Sequence, residues 1–314
     1  MKAVLQYAAS EGFRRRLIET QPEWLDIVVL DGADARQARA QLEDADVLLH
    51  VLAPVTTDVL RSAPRLKLVQ KIGVGINTID VETAKSLGIA VANMPGTNSQ
   101  AVAEHTLALM LGALRRIVYF DGIFRQGDGW NIPPDTFDTV SEISGRVVGF
   151  VGYGAVPQRL ATALTALGAQ VVFYTQGDSP DGPARRLPTL EALLEQSDIV
   201  SLHVPLTAET ASLLDAKTFG LMKAGSVLVN TARGELVDEH ALVEALRSGR
   251  LAAAGLDVFA AEPVRPDNPL LSLPNVVVTP HIAWLTPQTL ERSIKVIMEN
   301  CRRLKEGEPL LHRV

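Results

Sequence analysis

Cysteine is all but missing from this chain of 314 residues, which carries only Cys301. A single cysteine forms no internal disulfide and no cysteine-rich zinc site, and it fits a reducing, cytoplasmic setting. A basic surplus is missing too. Thirty Lys and Arg stand against 36 Asp and Glu, a net charge of −6, so nucleic-acid binding through phosphate neutralisation is not expected. Long apolar runs are lacking. The richest, Leu107–Leu114 (LALMLGAL), falls far short of the roughly 18 residues a membrane span needs, and no membrane association is expected. The opening MKAVLQYAASEGFRRRLIET does not read as a secretory signal, and no segment is of low complexity. What is present is ordinary for a globular protein: 47% hydrophobic and 21% charged residues, too apolar for disorder. At about 150 residues per domain the length suggests two domains, each large enough to bury a core.

Short apolar runs alternate with helical spacing along the chain. AVLQY from Ala3, IVVL from Ile27, DVLLHV from Asp46, LKLVQKI from Leu66 and IAVAN from Ile89 read as one series of strands. A second starts near Arg146: VVGFVGYG, QVVFYT, DIVSLHV, SVLVNT, AAAGLDVF and VVVTPH. Continuously apolar strands separated by helices argue for parallel sheets covered on both faces. A long helix is predicted over Asn98–Arg125, with Ser99 near its start. Another is predicted over Pro287–Glu306, with Pro287 in its first turn and Gly307 ending it. If the last helix returns to the first series, the first domain comprises residues 1–97 plus 287–314, and the second residues 98–286. The loop Gly127–Ser144, with Trp130, is expected to wrap a surface or a partner subunit.

The strongest local signal is VVGFVGYGAVPQRLATALTALGAQVVFYT. Gly152 and Gly154 end a strand and open a helix, where glycine permits close backbone approach and free N–H groups attract a pyrophosphate. Pro157 stands where a third glycine is usual, and its ring would push helix and strand apart. Thr175 stands where an acidic residue is usual at the end of the second strand. A threonine does not repel a 2′-phosphate as a carboxylate would, yet the nearest arginines are Arg185 and Arg186. The choice between NAD and NADP stays open on these residues.

Ligands of open α/β sheets bind beyond the carboxyl ends of strands. Of the six histidines, His50, His203 and His281 lie there, and each could exchange a proton near neutral pH. His105 and His240 fall in predicted helices and read as packing or surface residues; His312 is in the tail. Arg233, beside Gly234, could clamp a carboxylate with paired hydrogen bonds or make a surface ion pair with Glu235 or Asp238. Glu262 is either a solvated loop acid or a carboxylate that favours a protonated imidazole.

Taken together, VLVNTARGELVDEHAL, AGLDVFAAEP and VVVTPHIA resemble the D-isomer-specific 2-hydroxyacid dehydrogenases in order and spacing. LHVPLTAET from Leu202, GVGINTIDVETAKSLGIAVANMPGTNSQAVAEHTLALML from Gly73 and the ending LHRV resemble them too. The resemblance implies two Rossmann-like, doubly wound parallel-sheet domains: a flavodoxin-like substrate-binding domain and a dinucleotide-binding domain, with the active site in the cleft between them. It implies that Arg233 binds the substrate carboxylate, that His281 gives a proton to the carbonyl, and that Glu262 orients His281 and favours its protonated form. The same resemblance places Gly152, Gly154, Ala155 and Val156 at the pyrophosphate, Thr175 at the adenosine ribose and Val204 near the adenine. Thr231 and Asp257 fall near the nicotinamide, with Asp257 accepting from its carboxamide. Val74 and Gly75 would offer N–H groups to the substrate. His203 becomes a pocket-wall residue. No metal is implied, and a homodimer is.

Phosphoglycerate relatives carry two arginines where His50 and Leu52 stand, so a phosphorylated substrate is not expected; nor is their added regulatory domain. Val74 stands where phosphite-oxidising relatives have lysine, and formate-oxidising relatives lack the glutamate at Glu262. Trp284 either narrows the pocket or packs at a domain interface. The expected substrate is glyoxylate, hydroxypyruvate or another small 2-oxo acid. The alternatives are a reductase of a bulkier 2-oxo acid and a non-catalytic NADH sensor like the corepressors that share the fold.

Overall fold

The computed structural model describes residues 1–30, 35–178 and 182–314. The chain divides into two compact units, Met1–Asn98 with Trp284–Val314, and Ser99–Ala283.

The first unit is built on β1 (Lys2–Gln6), α1 (Glu11–Thr20), β2 (Asp26–Leu30), α2 (Ala35–Leu42), β3 (Val47–His50), α3 (Thr57–Arg61), β4 (Leu68–Lys71), α4 (Val81–Ser86) and β5 (Ala90–Ala92). All five strands are parallel, in the order β2-β1-β3-β4-β5, the order of flavodoxin-like sheets. β3 and β4 are buried at every position, as expected of parallel strands covered on both faces; the burial extends to the polar side chains of His50, Gln70 and Lys71.

The second unit begins with α5 (Ser99–Leu114) and α6 (Ile117–Arg125). The single helix expected over Asn98–Arg125 is therefore broken. Arg116 adopts a left-handed conformation (φ 49°), its guanidinium lies 4.0 Å from the centre of the Tyr119 ring, and it donates to Thr139 Oγ1 at 2.9 Å. The apolar pattern runs on through the break, so spacing alone does not reveal it. There follow β6 (Val147–Val151), α7 (Ala155–Ala166), β7 (Gln170–Tyr174), β8 (Arg185–Arg186), α8 (Leu190–Gln196), β9 (Ile199–Leu202), α9 (Ala216–Leu221), β10 (Ser226–Asn230), α10 (Glu239–Arg247), β11 (Leu251–Leu256) and β12 (Val276–Val278). These seven parallel strands run β12-β11-β10-β9-β6-β7-β8. The order reverses between β6 and β9, the topological switch point where such sheets take their ligands.

The chain ends in α11 (Pro287–Glu306), which belongs to the first unit. Thr286 caps it by accepting from the Thr289 N–H, Pro287 takes the first turn, and Gly307 closes it in the left-handed conformation (φ 72°). Buried Asn300 then donates to Gln70 Oε1 at 2.6 Å and to the Leu311 carbonyl, tying helix and tail to β4. Among the described residues no helix is long and apolar enough to cross a membrane.

Candidate active site

The carboxyl ends of β6, β7, β9, β10, β11 and β12 gather the polar residues of the second unit. At the end of β6 the two glycines serve different ends. Gly152 has φ 93°, and a Cβ there would lie 2.6 Å from the His203 carbonyl oxygen and 3.0 Å from Val204. It lets the β6 turn lie against the end of β9. Gly154 faces open space, with no heavy atom within 4 Å of a Cβ built on it. It is the N-cap of α7, and no side chain caps the helix. Ala155 and Val156 open that helix. An uncapped twelve-residue helix beside an open glycine, at the switch point, fits a pyrophosphate. Pro157 takes the third helical position, where a missing N–H costs no helical hydrogen bond.

β10 delivers Arg233 through a braced turn. Buried Asn230 donates to the Arg233 carbonyl at 2.8 Å and accepts from the Ala232 N–H at 3.0 Å. Gly234 lies so close to the next loop that a Cβ would fall 1.8 Å from the carbonyl carbon of Phe259. Only glycine permits that approach, and it sets Arg233 beside the loop carrying Glu262. Burial lowers the Arg233 pKa, while Glu235 and Glu262 act to raise it. Thr231 shares a hydrogen bond with Thr106 of α5 at 2.8 Å.

Glu262 is held on both oxygens. Oε1 accepts from the Phe259 N–H at 3.0 Å and Oε2 meets His281 Nδ1 at 2.6 Å. Glu239 of α10 anchors the same loop, accepting from Ala260 N–H and Asn268 Nδ2. Burial would raise the Glu262 pKa, but the hydrogen bonds from His281 and Phe259 outweigh it, and the carboxyl sits below its ordinary value of 4.5. An ionised Glu262 places the His281 proton on Nδ1 and leaves Nε2 to exchange a proton with a ligand.

His281 itself has φ 54°, a conformation costing of order 1–3 kcal/mol for a residue with a side chain. Asp257 holds it there. Its carbonyl accepts from His281 N–H at 2.7 Å. Its carboxylate, 1% exposed, accepts from Thr279 Oγ1 at 2.5 Å, Ile282 N–H at 2.9 Å and Ala283 N–H at 2.8 Å. Burial would raise the Asp257 pKa; these bonds and His105 bring it below the ordinary range. His105 of α5 lies 2.9 Å from Thr279 Oγ1 and 3.5 Å from Asp257 Oδ1 through Nε2. Sequence reasoning set His105 aside as packing, and nothing local marks it, because its partner is 174 positions away.

The other two histidine candidates are neutral structural groups. Burial, joined by the charge of Lys71, pushes His50 down to about 3, and it bonds the Ala53 carbonyl at 2.7 Å. Burial pushes His203 down to about 3; it packs edge-on against Phe150 and meets Ser201 Oγ at 3.0 Å. Thr175 follows β7, and Val204 packs at the edge of the core beneath β9. The remaining candidates lie in the first unit. Leu52 and Val74 are exposed and Gly75 half-buried, with the Val74 carbonyl accepting from Asn93 Nδ2 at 3.0 Å. Trp284 is buried, its ring 6.2 Å from that of Tyr7.

Comparison with known proteins places this arrangement. Residues 107–283 match the model for the NAD binding domain of the D-isomer specific 2-hydroxyacid dehydrogenases. A glyoxylate reductase of Aeropyrum pernix is 39% identical over 278 residues, 86% of this chain and 82% of that one. The chain belongs to the D-isomer specific 2-hydroxyacid dehydrogenase family. Within it, a D-3-phosphoglycerate dehydrogenase of Mycobacterium leprae is 40% identical over 283 residues, 89% of this chain but 53% of that one. The chain thus spans about half the length of this longer relative. A crystal structure of an NADPH-dependent glyoxylate/hydroxypyruvate reductase from Sinorhizobium meliloti, in complex with NADP and malonate, superposes with a TM-score of 0.86. It is 30% identical and covers 100% of this chain and 96% of the other.

Proposed function

We propose that this protein is a nicotinamide-dependent D-2-hydroxyacid dehydrogenase that reduces a small 2-oxo acid such as glyoxylate or hydroxypyruvate. The observation that carries the reading is the His281–Glu262 pair at 2.6 Å, with Arg233 on the adjoining loop. A 2-oxo acid needs a cation for its carboxylate and a proton for the oxygen that gains charge. Arg233 supplies the first, as a planar fork matched to a carboxylate. His281 supplies the second from Nε2 and takes it back in the reverse reaction. Glu262 keeps the Nδ1 proton in place and fixes the orientation of the ring. Asp257, Thr279 and His105 act through His281, holding its loop.

The first turn of α7, from Gly154 to Val156, would hold the pyrophosphate of a dinucleotide, with Thr175 at the ribose, Val204 at the adenine side and Thr231 towards the nicotinamide. When bound, that nicotinamide supplies the hydride. α6 and the loop after it leave Ile117, Val118, Phe124, Trp130 and Phe137 exposed, with the rings of Phe124 and Trp130 in contact, and exposed apolar side chains of this kind favour self-association. The mass of the protein in solution tests for the dimer.

The test of the activity is loss of reduced-nicotinamide absorbance with glyoxylate, hydroxypyruvate, pyruvate and longer 2-oxo acids, for the wild type and His281→Ala. Turnover that the variant lacks supports the reading. Turnover that survives removes His281 from the mechanism.

A further inference from the structure

β8 was not foreseen from the sequence, and it changes what lies at the end of β7. It pairs in parallel with β7, placing Arg185 opposite Val172 and Arg186 opposite Phe173. Successive strand residues face opposite sides of a sheet, and the two arginines part accordingly. Arg185 donates to Gln196 Oε1 of α8 at 3.1 Å. Arg186 reaches along β7 and donates through Nη2 to the carbonyl of Thr175 at 2.8 Å.

Thr175 is the residue that follows the second strand of the dinucleotide-binding half. An acid there accepts from the ribose 2′-hydroxyl in sheets selective for NAD, and excludes a 2′-phosphate by charge. Here the position carries a neutral hydroxyl, and a guanidinium is pinned to its backbone from eleven residues downstream. The bond to the carbonyl uses one of five N–H donors. The remaining donors of this exposed side chain form a fork suited to a phosphate. Asp178, the described acid nearest in sequence, is three positions beyond Thr175 and exposed.

We infer that Arg186 is the residue that recognises the 2′-phosphate, and that the protein therefore prefers the NADP couple. The inference rests on the proposal that this unit binds a nicotinamide dinucleotide. It assigns the preference to a residue on a separate strand instead of to the loop directly after β7.

Calorimetric titration of the full chain with ADP-ribose and with 2′-phospho-ADP-ribose tests it without any turnover. The wild type is expected to bind the phosphorylated compound more tightly by about tenfold or more, as hydrogen bonds to a charged group imply. Arg186→Ala and Arg186→Gln are expected to lose that preference while keeping the affinity for ADP-ribose, which also shows that they fold. Arg185→Ala is expected to retain the preference. Thr175→Asp is expected to reverse it. A preference that survives in both Arg186 variants overturns the assignment. So does a wild type that binds the two compounds equally. A chain that binds neither overturns the dinucleotide reading itself.

Discussion

His281 occupies a backbone conformation that a residue with a side chain rarely adopts, and the neighbouring residues are arranged to hold it there. Asp257 spends its main-chain carbonyl and both carboxylate oxygens on the segment Thr279–Ala283. His105 braces the Thr279 hydroxyl from α5. Replacing His105 with Phe is expected to lower kcat by about tenfold and to alter its pH profile, since small displacements of a catalytic group are costly. His105→Gln, which keeps a nitrogen within reach of Thr279, is expected to restore much of the loss. An unchanged profile in His105→Phe would show that the helix contributes packing only. Gly234 makes a second demand on geometry. The methyl of Gly234→Ala has no room against Phe259, so the Arg233 and Glu262 loops must separate. The expected result is a fall in kcat/KM of about 100-fold with a loss of about 1–3 kcal/mol in stability, measured by steady-state kinetics and urea melts.

At the scale of elements, legibility followed burial. β3, β9 and β10 are buried at every position and mainly apolar, so they stand out from the helices between them. α11 announced itself through Pro287 and Gly307, whose backbone constraints act locally. Arg233 was legible because it follows the buried β10, and Glu262 and His281 because they follow the apolar runs of β11 and β12, all at spacings that resemble a known family. What stayed hidden depends on contacts distant in sequence. β8 is two arginines long and gains its identity only by pairing with β7. The break before α6 rests on the conformation of Arg116 and its contacts with Tyr119 and Thr139. Asn230 looks like an ordinary strand-end polar residue, and Asp257 is marked by the resemblance only as a nicotinamide contact; the folded loops reveal which amides the two hold.

At the scale of the whole molecule, two histidines held neutral, buried His50 and half-buried His203, link folding to pH. His50 and His203 are held neutral, at about 3 in the folded chain against an ordinary 6.5. Between those values the unfolded chain binds more protons than the folded one, so stability falls as the pH drops below 6.5. Each histidine contributes a slope approaching about 1.4 kcal/mol per pH unit well inside that window. Urea melts between pH 7 and 5.5 read this effect with the least contribution from the lowered carboxyls such as Asp257 and Glu262, whose unfolded forms take up protons mainly at lower pH. His50→Gln is expected to flatten part of the slope. Stability that does not change between pH 7 and 5 would contradict both groups being held neutral in the folded chain.

The central claim is that His281, oriented by Glu262, exchanges the proton while Arg233 holds the carboxylate of a small 2-oxo acid. The most direct measurement is oxidation of NADPH and NADH with glyoxylate and hydroxypyruvate, comparing wild type with His281→Ala, alongside dinucleotide binding by both proteins. The account predicts turnover in the wild type, none in the variant, and equal dinucleotide affinity in the two. Equal turnover in both proteins, or no turnover by a wild type that binds the dinucleotide across the whole range of 2-oxo acids, would contradict it.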